Sequence, residues 1–237
     1  MLRDDIEVLI LCGGFGTRLS SISNGTPKGL MKGPSGKPFI LELVEELTQF
    51  GFKKIILALG YGSQDYIDFF RAQIRASVSI LFSVETNPLG TGGAIINALK
   101  VISGKTFFVI NGDTRTNINY EDMLAFHRQK DAQVTISGLE LSEDRNDVGC
   151  IQYDINTGAL MRFQEKSSVS NCVNAGVYLF ECEILQNKKF TISNLSLEKT
   201  LIPDLIAAKK RIYLYKFTGE MYDIGTPERY RRYVQLK

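Results

Sequence analysis

The sequence predicts an α/β fold in which helices cover both faces of a mixed, mostly parallel central sheet. Residues 8–11 form a continuous apolar run that ends in a glycine-rich loop, as the buried strands of parallel sheets often do. A helical pattern at 39–50 and a second apolar run at 53–59 follow, and together they predict a right-handed crossover unit. Beyond residue 131 the pattern changes to short β-rich segments.

The first half of the chain alternates between helix and strand patterns. Pro38 opens the helix at 39–50 and Gly51 closes it. The apolar residues of this helix recur on one face, at Phe39, Leu43, Leu47 and Phe50. The patterns that follow predict, in order, a helix at 64–75, a strand at 78–84, a glycine-rich turn at 85–94 leading into a helix through residue 100, and a strand at 106–110.

The second half is predicted to be β-rich and to end in a helix. Its strand patterns lie at 133–140, 149–153, 159–166, 174–180 and 211–217, and the C-terminal helix begins at Glu228. No linker rich in Pro or Ser divides the chain, and the sequence has no hexapeptide period typical of a β-helix. We therefore expect residues 1–237 to form a single domain, because α/β units of about 250 residues often do.

The composition is that of an ordinary soluble globular protein, with 44% hydrophobic and 23% charged residues. A net charge of +2 gives no electrostatic reason to expect binding to nucleic acid or to a membrane. No window approaches the roughly 18 apolar residues of a membrane span, and the N-terminus is charged. We therefore expect a cytoplasmic protein.

The cysteines and the single histidine are predicted to be structural. The cysteines lie far apart and lack the C-x-x-C spacing of zinc and redox sites, which favours reduced core thiols at Cys12, Cys150, Cys172 and Cys182. His127 falls in a polar helical stretch at 122–130 and is predicted to be an exposed helix residue.

The glycine-rich loop after the first strand has the composition of a phosphate-binding loop. Glycines permit close approach of a ligand, so backbone N–H groups could line a polyphosphate at Gly13, Gly14, Gly16 and Thr17. Arg18 and Lys28 would supply formal positive charge. The loop lacks the Lys-Ser/Thr of a Walker motif and the third glycine of the dinucleotide fingerprint. For the glycines alone, a structural turn remains the alternative.

Asp113 is a candidate functional residue because of its place at the end of a predicted strand. The strand at 106–110 runs directly into Asn-Gly-Asp at 111–113. In open α/β sheets, ligands bind at the carboxyl ends of the strands, where an acidic side chain contributes little to packing and is well placed for chemistry. An Asp that merely caps the following turn is the alternative.

These residues and four further motifs resemble the sugar-1-phosphate nucleotidyltransferases, the nucleoside-diphosphate-sugar pyrophosphorylases. Residues 13–19 and 27–28 match the signature Gly-Gly-x-Gly-Thr-Arg-Leu followed by Pro-Lys. The other motifs follow in the order of that family: Asn-Gly-Asp at 111–113, Glu-Lys at 165–166, Asn-Ala-Gly at 174–176 and Asp-Ile-Gly-Thr at 223–226. The resemblance covers most of the chain, and it implies a three-layer Rossmann-like nucleotidyltransferase fold.

The resemblance also implies how the fold is divided between substrates. A nucleotide-binding half would span about 1–130 and a sugar-binding half about 131–237, with a β-rich insertion at about 131–217 covering the sugar side. No appended β-helix domain is expected, because the hexapeptide period is absent.

Each motif has an implied role. Asp113 and Asp223 would hold Mg²⁺, Arg18 would stabilise the pyrophosphate leaving group, and Lys28 would bind the α-phosphate. The nucleotide would be bound by Leu11, Gly13, Gly14, Gly16, Thr17, Glu85, Gly90, Thr91 and Gly112. The sugar phosphate would be bound by Gly149, Glu165, Lys166 and Asn174.

The implied reaction is attack by an oxygen of a sugar 1-phosphate on the α-phosphorus of a nucleoside triphosphate, with pyrophosphate as leaving group and a nucleotide sugar for surface glycans as product. Within the family, the segment 88–94 is most similar to the D-glycero-D-manno-heptose 1-phosphate guanylyltransferases. Glu85, just before it, could accept hydrogen bonds from the N1–H and N2–H₂ groups of guanine. GTP and heptose 1-phosphate are therefore the first choice of substrates.

Two alternatives stay open at this point. One is a uridylyl- or cytidylyltransferase that acts on another phosphorylated sugar, and the other is a regulatory nucleotide-binding module without catalytic activity. The resemblance leaves the oligomeric state open, with a homodimer as one option.

Overall fold

The computed structural model describes residues 6–73, 77–145, 150–164, 170–186 and 193–236. It has an α/β fold, as the sequence predicted. The strands are β1 (Glu7–Leu11), β2 (Lys54–Leu59), β3 (Ser79–Val84), β4 (Thr106–Asn111), β5 (Thr114–Thr116), β6 (Val134–Arg145), β7 (Cys150–Tyr153), β8 (Leu160–Gln164), β9 (Ser170–Glu181), β10 (Ile212–Phe217) and β11 (Met221–Asp223).

The α-helices lie mostly between these strands. They are α1 (Ser20–Ser23), α2 (Phe39–Gln49), α3 (Ser63–Ala72), α4 (Gly90–Ala98), α5 (Tyr120–Gln129), α6 (Glu183–Gln186), α7 (Ile202–Ala207) and α8 (Pro227–Val234). Two short 3₁₀ turns, Thr17–Leu19 and Lys28–Leu30, and a π-helix, Leu197–Leu201, complete the described elements. Among the described residues, no helix is long and apolar enough to span a membrane.

The central sheet is mixed and mostly parallel. Its main path runs in the order β10-β6-β9-β4-β1-β2-β3, with β7 paired to β9 and β8 paired to β7. Strands β4, β1, β2 and β3 pair in parallel, and so do β10 and β6. On this path only β9 runs in the opposite direction, antiparallel to both β4 and β6. Strands β5 and β11 form a separate antiparallel pair.

Alternation along the strands divides the core into two layers. Val8 and Ile10 of β1 face the layer that contains α2, α3, α5 and α8, whereas Leu9 faces the layer with α4, α6 and α7. All three side chains are fully buried. The sheet is thus covered on both faces, as a three-layer fold requires.

Within the predicted β-rich segment 131–217, β6, β9 and β10 extend the central sheet, and the β7–β8 hairpin packs across one face. One predicted feature differs from the structure. Helix α4 begins at Gly90, inside the glycine-rich stretch that was predicted to be a turn. The first turn of α4 is helical in spite of its glycines because the Leu195 carbonyl accepts hydrogen bonds from the N–H groups of Gly92 and Gly93.

Cys12, Cys172 and Cys182 are buried and are not in disulfides, which confirms the prediction of reduced core thiols for these three. The prediction of an exposed histidine was wrong, because His127 is only 2% exposed. Its Nδ1 lies 2.7 Å from Thr135 Oγ1, and its Nε2 lies 3.2 Å from Glu181 Oε1. Glu181 also accepts a hydrogen bond of 2.5 Å from Thr106, at the amino end of β4. Polar partners across two strands, which a helical period does not reveal, account for the burial.

We expect His127→Ala to lower the free energy of unfolding by about 2–4 kcal/mol, because it leaves a cavity and removes hydrogen bonds from buried partners. Urea unfolding would measure this loss. The cluster lies at the amino end of β4, far from the carboxyl ends where ligands bind, so turnover per folded molecule should not change. An unchanged unfolding midpoint would contradict the structural role.

Candidate active site

The candidate site lies where four parallel strands end at one edge of the sheet. Leu11 of β1 pairs with Asn111 of β4 and with Ala58 of β2, so the segments that follow these strands emerge side by side. They enclose a cavity of about 360 Å³. Open α/β sheets bind ligands in this position.

The glycine-rich loop presents free backbone donors at this cavity. Within the described part of the chain, no backbone N–H from Gly13 to Thr17 donates to a protein acceptor. Phe15, at the centre of the loop, is 59% exposed and packs on Tyr61 with ring centroids 5.5 Å apart. Successive unpaired N–H groups form a concavity suited to an anion, which supports the interpretation of a phosphate-binding loop.

Lys28 and Asp113 form an ion pair at the edge of the cavity. Lys28 Nζ lies 2.5 Å from Asp113 Oδ2, and the two side chains are 20% and 26% exposed. Asp113 Oδ1 accepts a second hydrogen bond, of 3.1 Å, from the Thr114 hydroxyl. Burial by itself would raise the pKa of Asp113, but the charge of Lys28, these hydrogen bonds and the charge of Arg18 bring the pKa below its ordinary value. Asp113 is therefore held as a carboxylate.

The pairing of β5 with β11 brings the second predicted carboxylate to the same place. Asp223 lies opposite Thr114 in this ladder, and the Ile224 N–H donates to the Asp113 carbonyl at 3.0 Å. Asp223 Oδ2 accepts a hydrogen bond of 2.5 Å from Arg229 Nη1, and its Oδ1 accepts one of 2.5 Å from the Gly225 N–H. Two aspartates far apart in sequence are thus neighbours.

Arg18 approaches this pair from the glycine-rich loop. A Cβ atom placed on Gly225 would lie 3.4 Å from Arg18 Nη2, so the guanidinium group reaches the turn that follows Asp223. The Arg18 side chain is otherwise exposed. Its position favours contact with a ligand over a role in packing.

The donor set fits a hard divalent cation that also binds phosphate. Among the described residues, no three His, Cys, Asp or Glu side chains converge, so Asp113 and Asp223 could supply only two protein ligands. Magnesium is commonly bound through one or two carboxylates, with substrate phosphates and water as its other ligands. Lys28 and Arg229 compensate the two negative charges in the structure.

Glu85 directly follows β3 and lines the end of the cavity that lies next to β2 and β3. Its Oε2 accepts a hydrogen bond of 3.3 Å from the Leu89 N–H, so it caps the following turn. Its Oε1 lies so near Gly60 that a Cβ atom there would be only 2.5 Å away, which explains the glycine. Burial raises the pKa of Glu85, and the Leu89 hydrogen bond offsets part of this effect. One carboxylate oxygen remains available to a ligand in the cavity.

The start of α4 is packed against the segment before the π-helix. The N–H groups of Gly92 and Gly93 donate to the Leu195 carbonyl at 2.8 and 3.2 Å. Gly90 has a φ of +76°, and a Cβ atom on it would lie 2.5 Å from the same carbonyl oxygen. The glycine at 90 is therefore required by close approach of the chain itself, and the N–H groups at 92 and 93 are not free for a ligand.

Asn174 is part of a hydrogen-bonded network that ends in the cavity. Its Nδ2 donates to the Tyr178 hydroxyl at 2.6 Å, and Tyr178 donates to Glu198 Oε1 at 3.3 Å. Thr91 donates to Glu198 Oε2 at 3.2 Å. Glu198 lines the cavity, whereas Tyr178 is fully buried beneath it.

A second network holds the β5 strand that follows Asp113. Arg115 donates to Glu46 Oε2 from Nε at 2.9 Å and from Nη2 at 2.7 Å, and its Nη1 donates to the Tyr233 hydroxyl at 2.7 Å. Tyr233 in turn donates to Glu42 Oε2 at 2.6 Å. Glu42 is only 7% exposed, so Arg115 also compensates a buried charge. Helices α2 and α8 thereby fix the position of the strand that carries the site.

The structure brings most of the predicted site residues together. Nine line the cavity: Leu11, Gly13, Gly14, Lys28, Glu85, Gly90, Thr91, Gly112 and Asp113. Gly16 and Lys28 border a second, smaller cavity. Thr17 and Arg18 are exposed next to Gly16 in the loop, and Asp223 adjoins Asp113. Asn174 does not line the cavity and is linked to it through Tyr178 and Glu198. Gly149, Glu165 and Lys166 lie outside the described residues.

Four residues of the site were missed by the sequence reasoning: Arg115, Tyr178, Glu198 and Arg229. Arg229 follows Pro227 in the first turn of α8, six positions after the predicted metal ligand Asp223, and this spacing was the available signal. The others carry no local motif, because their roles depend on contacts between distant segments.

Comparison with known proteins identifies a matching family and several similar proteins. Residues 7–236 match the family model of the nucleotidyl transferases. The mannose-1-phosphate guanylyltransferase catalytic subunit beta of Danio rerio is 34% identical over 228 residues, which are 94% of this chain and 62% of that protein. The subunit of the same name from Drosophila pseudoobscura pseudoobscura is 33% identical, over 94% of this chain and 60% of that protein. The chain thus spans about 60% of the length of these relatives.

A solved structure matches over nearly its whole length. The crystal structure of HddC from Yersinia pseudotuberculosis superposes with a TM-score of 0.85 at 32% identity, covering 97% of this chain and 98% of HddC. The same protein complexed with GMP-PN gives a TM-score of 0.84 with the same coverage.

Proposed function

Because this chain belongs to the nucleotidyl transferase family, we propose that it transfers a nucleotidyl group from a nucleoside triphosphate, with GTP favoured, to a sugar 1-phosphate, with release of pyrophosphate. D-glycero-α-D-manno-heptose 1-phosphate is the favoured acceptor, and the product would be a nucleotide sugar for surface glycan synthesis. The observation that carries the proposal is the Lys28–Asp113 pair at 2.5 Å beside a loop of unpaired N–H groups.

The residues support an in-line displacement that needs no general base. The phosphate of the acceptor is already anionic, so the protein has to bring two polyanions together and stabilise the charge that develops. Lys28 would bind the α-phosphate, the N–H groups from Gly13 to Thr17 would bind the other phosphates, and Arg18 would stabilise the pyrophosphate as it leaves. His127, the single histidine of the sequence, cannot act as a general base in this site, because it is buried at the other end of the sheet.

Asp113 and Asp223 would hold Mg²⁺. When bound, the ion would neutralise phosphate charge and so assist the displacement. Arg115 has a positioning role here, because its hydrogen bonds to Glu46 and Tyr233 fix the β5 strand next to Asp113.

A matrix of four nucleoside triphosphates against several sugar 1-phosphates tests the activity. Pyrophosphate release and product mass would identify both substrates, and EDTA should abolish the reaction. We expect the largest rate with GTP. A wild-type preference for UTP or CTP would overturn the guanylyl assignment, and absence of pyrophosphate release with every pair would favour a regulatory binding module.

Mannose 1-phosphate is a second candidate acceptor. Its support is the similarity to two mannose-1-phosphate guanylyltransferase subunits, which are 33% and 34% identical to this chain. Heptose 1-phosphate is supported by the resemblance of the segment 88–94. Both sugars have the manno arrangement of ring hydroxyls, so the same pocket could accept either.

Base choice gives a sharper test at Glu85. Guanine offers two adjacent donors, N1–H and N2–H₂, and a carboxylate binds such a pair more strongly than a neutral acceptor does. We expect Glu85→Gln to weaken kcat/KM for GTP by roughly 10- to 100-fold, the equivalent of about 1–3 kcal/mol. Uracil offers only N3–H, so kcat/KM for UTP should fall much less in this variant. Kinetics with both nucleotides at one fixed sugar phosphate measure the difference.

Glu183→Gln is the matched control, because Glu183 is an exposed carboxylate on α6. It should leave the GTP to UTP ratio unchanged. If Glu85→Gln instead lowers kcat/KM for GTP and for UTP in equal proportion, Glu85 only accepts the hydrogen bond of the Leu89 N–H, and other residues recognise the base.

A further inference from the structure

Glu198 is a carboxylate in the wall of the cavity that neither the predicted motifs nor the proposed chemistry uses. It lies in the π-helix Leu197–Leu201, a rare conformation that occurs frequently at functional sites. A negative charge is badly placed beside triphosphate or sugar phosphate oxygens. Whatever Glu198 faces in the cavity must therefore offer hydrogen-bond donors without formal negative charge.

Two donors with defined hydrogen directions hold this carboxylate. The Tyr178 hydroxyl oxygen already accepts a hydrogen bond from Asn174 Nδ2, so its own proton points to Glu198 Oε1. The Thr91 hydroxyl oxygen already accepts one from the Leu197 N–H at 2.8 Å, so its proton points to Oε2. Burial and the charge of Glu198 raise the pKa of Tyr178 well above its usual range, which keeps it a donor. Glu198 is thus fixed before any ligand binds.

The carboxylate still has acceptor capacity. Two carboxylate oxygens provide about four lone-pair sites. Among the described residues, only Tyr178, Thr91 and, at 3.4 Å, the Ser196 hydroxyl donate to them. A ligand hydroxyl could therefore be accepted without displacing a protein partner, at little cost in reorganisation.

The position in the sheet indicates which ligand this is. Glu85 follows β3, Asp113 follows β4, and Tyr178 lies in β9, on the far side of β4 from β3. If the base of a bound nucleotide contacts Glu85 and its phosphates contact Lys28, the group beyond the phosphates lies toward β9. In a nucleotidyl transfer that group is the acceptor sugar, and its ring hydroxyls are neutral donors.

Resting on the proposed function, we infer that Glu198 is a specificity-determining residue that accepts a hydrogen bond from a ring hydroxyl of a manno-configured sugar 1-phosphate. Asn174 supports it through Tyr178 and is in this respect a positioning residue. The charged acceptor would discriminate against sugars that lack the hydroxyl, because its removal leaves a partly buried carboxylate without that donor.

Calorimetry tests the inference independently of turnover. D-mannose 1-phosphate would be titrated into wild-type protein, Glu198→Gln and the exposed-site control Glu183→Gln, each saturated with Mg²⁺ and a non-hydrolysable GTP analogue. We expect Glu198→Gln to raise the Kd of mannose 1-phosphate by about 10- to 100-fold, as for a lost hydrogen bond to a charged group, and the control to match the wild type. The Kd of the GTP analogue should change by less than about threefold.

Monodeoxy analogues of mannose 1-phosphate identify the hydroxyl. One of them should bind wild-type protein about 10- to 100-fold more weakly than the parent sugar, and this penalty should shrink to about threefold or less in Glu198→Gln. Equal penalties in both proteins, an unchanged Kd in Glu198→Gln, or no binding of mannose 1-phosphate to the wild type would each overturn the inference. A loss of affinity in Glu198→Gln that is confined to the GTP analogue would indicate that Glu198 contacts the ribose, and it would overturn the inference as well.

The proposed function can fail separately, since it requires pyrophosphate release whereas these titrations require only binding. Melting temperatures of all three proteins control for folding. Tyr178→Phe supplies a second variant that keeps the carboxylate and removes one of its donors, and we expect it to weaken mannose 1-phosphate binding by less than Glu198→Gln does.

Discussion

Asp113→Asn is expected to retain the fold and to reduce kcat by roughly 10³-fold. The amide keeps the size of the side chain and can still accept a hydrogen bond, but it lacks the charge that holds a hard dication beside phosphate. Loss of several kcal/mol of charge stabilisation corresponds to this factor, since each 1.36 kcal/mol is tenfold. Steady-state kinetics at saturating Mg²⁺, GTP and sugar phosphate would measure it.

The control for this variant is Asp122→Asn, which makes the same chemical change at an exposed position of α5. Its kcat should equal that of the wild type. Melting temperature matters for Asp113→Asn, because the variant also removes the ion pair with Lys28. A kcat within a few fold of wild type at saturating Mg²⁺ would remove Asp113 from the metal site.

Arg18→Ala and Lys28→Ala are each expected to reduce kcat/KM by about 10²- to 10³-fold, the scale for removing one preorganised donor to transition-state charge. Their effects on stability should differ. Arg18 is exposed, so its removal should leave the melting temperature unchanged. Lys28→Ala leaves the partly buried Asp113 without its cation and should lower the melting temperature, since unpaired buried charge is costly.

Lys37→Ala is the matched control for both variants. Lys37 is half exposed and paired with Glu45 at 2.9 Å, away from the cavity. It should change kcat/KM by less than about twofold, as expected for an exposed ion pair. If the activity lost in Arg18→Ala follows a loss of folded protein instead, the loop has only the structural role of a turn.

The parallel centre of the sheet was predictable from the sequence because β1, β2 and β4 consist largely of apolar residues. The helix and strand at 39–59 were found from period and capping, and the structure places α2 and β2 there within a few residues. Strands β5 and β11 were not found, since three residues carry no readable period and their pairing joins distant segments. The start of α4 was missed because glycines signal a turn unless a tertiary contact, here the Leu195 carbonyl, holds them in a helix.

The candidate site was predictable to the extent that its residues belong to local motifs. The glycine-rich loop, Lys28, Asp113 and Asp223 each have neighbours in sequence that mark them. Glu198 and Arg115 have none, because what defines them is a partner from another segment, Thr91 and Tyr178 for the first and Glu46 and Tyr233 for the second. His127 shows the same limit, since its burial follows from Thr135 and Glu181 on neighbouring strands.

The pairing of β5 with β11 has a consequence for biosynthesis. Asp113 and Asp223 are about 110 positions apart, and ribosomes add about 5–20 residues per second, so the second carboxylate is made roughly 6 to 22 s after the first. Strands β1 to β4 and Lys28 exist during that interval, and the Lys28 ammonium group can neutralise Asp113 in the nascent chain. The dication site proposed at Asp113 and Asp223 would then form only once β11 docks against β5, late in folding.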